Sequence, residues 1–321
     1  MLKIWCNAAL DDSAITVLRT GLAEHELVLS SARTGNLGAT GPDEGLASAD
    51  IAFGQPDPEQ AIALDSLKWV HLTSAGYTRY DRDDLRSAFA MRGAVMTNSS
   101  SVYDEPCAQH LLAFMLAMSR QLPPSLIDQL GPKSWAYAAN RPLTRILEGD
   151  TVLILGYGAI GRRLAELLAP FRLNIVAVRR AMRGDEIVPT YPISDVASLV
   201  GSADHIVNIL PANDSTDRLI DSDFLARLKQ GSRFYNVGRG STVDQAALAA
   251  ALQSGRLSGA CLDVTDPEPL PSDHFLWSAP NCYITPHIAG GRQEEDLTLV
   301  RHFLANFSRF EADLGLVDRI A

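Results

Sequence analysis

The most constraining stretch of this chain is an apolar run, Thr151-Val152-Leu153-Ile154-Leu155, that ends directly in Gly156-Tyr157-Gly158-Ala159-Ile160-Gly161. Five aliphatic or β-branched residues followed by glycines at this spacing read as a strand, a tight turn and a helix start. Gly156 permits the turn out of the strand, and Gly158 lets the backbone approach a pyrophosphate. Gly161 lets the helix close against the strand, with its N-terminus facing the anion. A plain strand–turn–helix connection can carry the same glycines. The dinucleotide reading rests on both the preceding strand and the following helix being predicted. Tyr157, Ala159 and Ile160 complete the loop as candidate cofactor contacts.

The segments around this loop keep a regular beat. Apolar runs at 174–178, 205–209, 233–237, 259–262 and 282–284 alternate with helical patterns at 160–168, 221–228 and 244–252. Such alternation implies a parallel sheet covered on both faces. Ahead of it, strands at 2–6, 51–54 and 67–72 and a helix over 13–24, with Asp11 or Asp12 as N-cap, form a separate α/β unit. Ser99, Ser100 and Ser101 mark a crossing point between the two. Asp104 is expected to cap a helix running to about 121, whose Leu111, Leu112, Met115 and Met118 share one face and read as core. A helical pattern at 294–314 follows the last strand and is expected to return to the front unit. The fold class is therefore α/β with two domains: a Rossmann-type doubly wound parallel sheet over 99–291, and a smaller flavodoxin-like α/β substrate domain over 1–98 plus 292–321.

Composition excludes several classes of function. A net charge of −10 over 321 residues, with no basic stripe, argues against nucleic acid as a partner. The longest apolar run, 111–118, is too short to span a bilayer, and the first residues lack the apolar core of a signal peptide, so no membrane role and a cytoplasmic location are expected. Cys6, Cys107, Cys261 and Cys282 are scattered, without C-x-x-C spacing, and read as reduced thiols rather than metal ligands; no metal is expected.

The end of the second strand bears on which nicotinamide cofactor is used. An acid usually sits there to bind the ribose hydroxyls of NAD. This chain has Val178-Arg179-Arg180. Two guanidiniums would hold a 2′-phosphate through charge-assisted, bidentate bonds. The competing reading is a pair of solvated surface charges. NADP(H) is thus the expected preference, with NAD(H) possible.

Three polar residues near the C-terminus stand in distinctive contexts. Arg239 lies in Asn236-Val237-Gly238-Arg239-Gly240, Glu268 in Glu268-Pro269-Leu270-Pro271, and His287 in Thr285-Pro286-His287. A fixed cation suits a carboxylate, and an imidazole beside a carboxylate suits proton transfer. With the glycine loop, Leu210-Pro211, residues 236–244 and Gly259-Ala260-Cys261-Leu262-Asp263, these contexts resemble the D-isomer-specific 2-hydroxyacid dehydrogenase family along essentially the whole chain. Within it the chain looks most like the NADP-preferring glyoxylate/hydroxypyruvate reductases, a narrower likeness carried by Arg179 and Arg180.

The resemblance implies roles. Arg239 binds the carboxylate of a small 2-oxo or 2-hydroxy acid and polarises its oxo group. His287 exchanges the proton, and Glu268 orients and charges the imidazole. Read singly, each has a bland alternative: a surface ion pair for Arg239, an exposed turn for Glu268, a satisfied strand-end histidine for His287. Asp263 is expected to bond the nicotinamide carboxamide, with Leu210, Pro211, Thr216 and Val237 lining the cofactor cleft. Backbone amides of Ser74, Ala75 and Gly76, from the other domain, are expected to meet the substrate carboxylate in a cleft that closes on its ligands. Trp135 resembles a tryptophan that in some relatives reaches a neighbouring subunit, and a homodimer is expected; local packing is its simpler reading. One departure is Ala108-Gln109-His110, where the family commonly has Glu before His. Ala75 stands near the position where a phosphite dehydrogenase would carry lysine, and the Glu268–His287 pairing departs from formate dehydrogenases of this fold. Open alternatives are a non-catalytic, NAD(P)-sensing protein like the family's corepressors, and a member acting on a bulkier 2-oxo acid.

Overall fold

The computed structural model describes residues 1–36 and 38–321. They gather into two compact units, Met1–Tyr103 with Arg292–Ala321, and Asp104–Gly291.

The first unit holds a five-stranded parallel sheet. Its strands are β1 (Lys3–Ala8), β2 (Glu26–Thr34), β3 (Ile51–Gly54), β4 (Trp69–Leu72) and β5 (Val95–Thr97), in the order β2-β1-β3-β4-β5. That order is the flavodoxin-like arrangement. The helix Asp12–Gly21 starts where Asp11 accepts a hydrogen bond from the Ala14 amide at 2.8 Å, and it buries Ala14 and Leu18. The C-terminal helix Glu295–Glu311 does return to this unit, burying Leu299, Val300, Phe303 and Phe307. Phe303 stacks on Phe53 and Trp69, with ring centroids 4.3 and 5.2 Å away. Removing an aromatic ring packed this way costs about 3–5 kcal/mol. Beyond the helix, Ile320 and Ala321 hydrogen-bond with Met96 on β5. His71 is fully buried between two hydroxyls, Thr97 Oγ1 at 2.7 Å and Ser99 Oγ at 3.2 Å, and desolvation drives its pKa well down.

The second unit holds a seven-stranded parallel sheet. Its strands are β6 (Thr151–Leu155), β7 (Asn174–Arg179), β8 (Thr190–Pro192), β9 (His205–Asn208), β10 (Ser232–Asn236), β11 (Leu257–Leu262) and β12 (Cys282–Ile284). They lie in the order β12-β11-β10-β9-β6-β7-β8. The order reverses between β6 and β9, and in such sheets that reversal opens a crevice at the strands' carboxyl ends. Asp221 and Asp244 cap the helices Ser222–Arg227 and Gln245–Gln253, each carboxylate accepting one first-turn amide. The core under these helices is apolar, with Leu153, Ile206, Phe234 and Leu248 fully or nearly fully buried.

The helix expected from Asp104 begins earlier. It spans Ser100–Ser119 with Pro106 inside, so Asp104 is not its cap. The start is held by Asn98 and Asp318 instead. Asn98 Oδ1 accepts from the Ser100 amide at 3.2 Å, and Asp318 accepts from the Ser101 amide at 2.9 Å. Asp318 lies more than two hundred residues downstream, so local reading of the sequence could not find this start. Residues 100 and 101, at the expected crossing point, are accordingly helical. Leu111, Met115 and Met118 are buried as expected. The four cysteines are free; burial pushes the Cys6, Cys107 and Cys282 thiols up to about 12. Among the described residues no helix is long and apolar enough to cross a membrane.

Candidate active site

Three adjacent parallel strands end level with one another: Asn236 of β10 pairs with Leu262 of β11, and Leu262 with Ile284 of β12. The loops leaving these ends carry Arg239, then Asp263 and Glu268, then His287. Residues spread over fifty positions are thereby brought to one edge of one sheet.

His287 and Glu268 are paired, with Nδ1 and Oε2 2.7 Å apart. The other Glu268 oxygen accepts from the Thr265 amide at 3.0 Å. Burial pushes the Glu268 carboxyl up, but the bonds from His287 and Thr265 and the charges of His287 and Arg239 outweigh it, and its pKa is lowered. Opposite an ionised carboxylate Nδ1 is the nitrogen that donates, and Nε2 is left outside the pair. Arg239 is partly buried, and desolvation lowers its pKa while the Glu268 charge raises it again. One of its nitrogens donates to the Gly238 carbonyl at 2.6 Å, which fixes the guanidinium. Gly240 is required here: a Cβ would overlap the Thr265 backbone.

His287 takes a left-handed backbone, φ 53°, a conformation that costs a non-glycine residue about 1 kcal/mol or more. Asp263 supplies the constraint. Its backbone carbonyl accepts from the His287 amide at 2.9 Å. Its carboxylate accepts from Thr285 Oγ1 at 2.6 Å and from the Ile288 and Ala289 amides at 2.9 Å each. Asp263 is 3% exposed, so its observed work is to clamp the loop that presents His287. Thr285, not singled out as a site residue in the sequence, completes that clamp and also meets His110 Nε2 at 3.3 Å.

At the sheet reversal, Gly156 has φ +99° and its Cβ would press on the Ile209 carbonyl, so the turn demands glycine. Gly158 is different. Its φ is −100°, and a Cβ there would meet no protein atom within 4 Å. Among the described residues no packing contact calls for glycine at 158. A ligand lying against the start of the helix Ala159–Leu168 would, which is the fit a dinucleotide pyrophosphate makes. Tyr157 and Leu210 are buried, as are Val237 and Thr216, and Pro211 is exposed. Thr216 Oγ1 donates to the Pro211 carbonyl at 2.6 Å and shapes the loop after β9.

Arg179 ends β7, but its guanidinium is occupied. Nη1 donates to Glu186 Oε1 at 2.5 Å and to Asp185 Oδ1 at 3.2 Å, and Arg180 beside it is exposed. The acids lie six and seven residues downstream, where a reading confined to the strand end passes over them. In the first unit, Ser74, Ala75 and Gly76 follow β4. Ser74 Oγ donates to the Gly76 carbonyl at 2.6 Å, Gln55 Nε2 donates to Ser74 Oγ at 3.1 Å, and Asn98 Nδ2 donates to the Ala75 carbonyl at 2.7 Å. Gln55 and Asn98, neither marked in the sequence, thus set this loop's shape.

Residues 112–289 match the family described as "D-isomer specific 2-hydroxyacid dehydrogenase, NAD binding domain". A glyoxylate/hydroxypyruvate reductase B of Escherichia fergusonii is 30% identical over 260 residues, which cover 78% of this chain and 78% of that protein. A D-isomer specific 2-hydroxyacid dehydrogenase of Xanthobacter autotrophicus, solved with NADPH and MES, superposes with a TM-score of 0.81 at 25% identity, over 100% of this chain and 98% of that one. An NADPH-dependent glyoxylate/hydroxypyruvate reductase of Sinorhizobium meliloti, solved with NADP and malonate, gives a TM-score of 0.72 at 26% identity, over 100% and 97% of the two chains.

Proposed function

The chain belongs to the D-isomer specific 2-hydroxyacid dehydrogenase family of NAD(P)-dependent oxidoreductases, and on that premise we propose that it reduces a small 2-oxo acid of the glyoxylate or hydroxypyruvate kind to the D-2-hydroxy acid, reversibly, with NADPH preferred. The observation that carries the reading is the Glu268–His287 pair at 2.7 Å, with Arg239 close enough for its charge to act on Glu268. A sensor that only binds cofactor has no need of an imidazole paired with a carboxylate beside a half-buried cation.

In this reading Arg239 grips the substrate carboxylate through its planar fork and polarises the 2-oxo group. In the first unit, the amides of Ser74, Ala75 and Gly76 are the groups suited to a substrate carboxylate. The reduced nicotinamide, when bound, supplies the hydride. His287 gives the Nε2 proton to the oxygen that becomes the alcohol, and takes it back in oxidation. Glu268 stabilises the imidazolium and keeps its ring turned. Gly156, Gly158 and Gly161 hold the pyrophosphate, and Asp263, Leu210, Pro211, Thr216 and Val237 border the nicotinamide half. The preference for NADPH is supported by the arginines at 179 and 180, with the two solved relatives bound to NADP(H) pointing the same way.

The working form in this reading is a cytosolic homodimer. The helix Leu122–Leu130 buries none of its residues, and Leu122, Leu126, Ile127, Leu130, Trp135 and Tyr137 are each at least 50% exposed. Apolar surface of this extent calls for a partner, and a second copy of the chain would cover it. Sedimentation of the parent and of Ile127→Glu tests this; a monomeric parent rejects it.

A panel of 2-oxo acids offered with each reduced cofactor, followed at the reduced-nicotinamide absorbance band, tests the activity. Turnover of glyoxylate or hydroxypyruvate supports the reading. Cofactor binding without oxidation by any acid would leave the sensor, and turnover confined to bulky acids would move the substrate assignment. An NADH advantage of tenfold or more in kcat/KM, about 1.4 kcal/mol, would reverse the cofactor preference.

A further inference from the structure

The segment after β7 is folded around one buried ion pair. Arg179 and Glu186 keep only 10% and 9% of their side chains exposed. The Glu186 carboxylate is held on three sides. Oε1 accepts from Arg179 Nη1 at 2.5 Å and from the Arg183 amide at 2.8 Å, while Oε2 accepts from the Gly184 amide at 2.9 Å. Gly184 has φ +78°, and that turn aims successive amides at one point, the geometry of an anion-binding nest. The segment is also fastened to the glycine loop and its helix. Tyr157 OH accepts from the Ile187 amide at 3.4 Å, Arg162 Nη1 donates to the Asp185 carbonyl at 3.0 Å, and the Arg179 guanidinium lies 6.0 Å from the Tyr157 ring centre. An anion cradle therefore stands at the end of β7, beside the glycine loop, and the chain's own carboxylate fills it.

We propose that Glu186 is a built-in competitor for the 2′-phosphate of NADPH, occupying Arg179 and the 183–184 amides in the free protein and yielding them when that phosphate binds. The inference rests on the reading of Arg179 as a 2′-phosphate ligand. A phosphate carries more charge than a carboxylate and has three acceptor oxygens, so it can displace Glu186 from the guanidinium. The displaced acid swings into water, which is close at hand. NADH has no group to place in the cradle and binds with Glu186 still seated. Glu186 thus lowers the affinity for NADPH and leaves that for NADH alone, which narrows the discrimination that Arg179 alone would give. Its release is not an acid response. The Arg183 amide above all, with Arg179 and the Gly184 amide adding, pushes the Glu186 carboxyl down to about 2, so it is ionised at any working pH.

The test is equilibrium binding of NADPH, NADH and adenosine 2′,5′-bisphosphate to the intact parent protein, Glu186→Gln, Arg179→Gln and the double variant. Glutamine keeps the length and one acceptor but removes the charge. The expected result is that Glu186→Gln binds NADPH and the bisphosphate about fivefold more tightly, because the competent fraction rises. NADH should stay within about twofold by the same reasoning, and the gain should vanish when Arg179 is also glutamine. An equal change for both cofactors, an unchanged NADPH affinity or a weaker one in Glu186→Gln overturns the proposal while leaving Arg179 as phosphate ligand. Loss of NADH affinity in Glu186→Gln overturns it too, by making Glu186 a ribose ligand. If Arg179→Gln binds NADPH as well as the parent does, the reading of Arg179 itself fails and the proposal with it.

Discussion

Replacing Asp263 by alanine should loosen the loop that carries His287, by an amount the geometry allows to be worked out. The carboxylate accepts from Thr285 Oγ1, from the Ile288 amide and from the Ala289 amide. The hydroxyl can rotate to another partner, but the two amides cannot, and Ala289 is only 4% exposed. Each buried donor left unmade costs about 1–3 kcal/mol. Relief from burying a charge offsets part of this, so the net loss should be about 2–4 kcal/mol. Asparagine has almost the same shape but presents an NH2 to one of the donors, and should cost roughly half as much. With two units in the chain, a single urea transition can blend two unfolding events. The local readout is therefore hydrogen exchange at the Ile288 and Ala289 amides, with the urea midpoint as a second measure. Both amides should lose protection in Asp263→Ala, and kcat should fall because His287 is no longer held at its left-handed φ. If protection at 288 and 289 is unchanged and the midpoint moves by less than about 0.5 kcal/mol, the clamp assigned to Asp263 does not exist.

Three further outcomes are expected. His287→Ala should lower kcat by at least about a hundredfold while cofactor affinity is kept; near-parental turnover of every active acid would make this histidine structural. Arg239→Ala should raise KM and lower kcat together, since it touches both the carboxylate and the polarised oxygen; a KM effect alone would confine it to ground-state binding. Stability should decline as the medium is acidified below about pH 6.5, and buried His71 should account for part of that slope. Its folded pKa is depressed by desolvation, so the unfolded chain binds the extra proton first. The contribution is complete above the unfolded value and is lost as pH falls toward the folded one, at up to about 1.4 kcal/mol per pH unit. His71→Gln should flatten that part of the curve in a melting series across pH; an unchanged slope would show the ring already charged.

The second unit was the more legible in sequence. Its central strands are largely buried and read as apolar runs, with β6 where the pattern puts it, and the short edge strand β12 is found too because Cys282-Tyr283-Ile284 is apolar throughout. Edge strands are half in water. Glu-Leu-Val-Leu-Ser-Ser-Ala-Arg-Thr in β2 and Thr-Tyr-Pro in β8 carry too few apolar residues to stand out as strands. Capping is legible where it is local, at Asp11, and illegible at the helix assigned to Asp104, where Asn98 and the distant Asp318 do the work. In the site, Arg239, Glu268 and His287 are marked by their neighbours in the chain. The clamp by Asp263 and the shaping of the 74–76 loop by Gln55 and Asn98 are made across the fold and leave no local trace. Arg179 shows the same limit: its charge is visible in the sequence, but the state of that charge depends on Glu186, which only the turn at Gly184 brings back to it.

The stacking of Phe303 on Phe53 and Trp69 sets an order of events during synthesis. The unit whose strands leave the ribosome first cannot close its core until a helix made some two hundred residues later arrives. Residues 104–291, which need nothing from outside themselves to complete their sheet, are finished earlier. In the interval the β3–β4 face stands open with its aromatic rings uncovered, the kind of surface that holding chaperones take up. A premature stop between residues 292 and 303 would therefore release a chain with an intact second unit and an exposed first one. Any damage that loosens the last helix would recreate the same species from the finished protein.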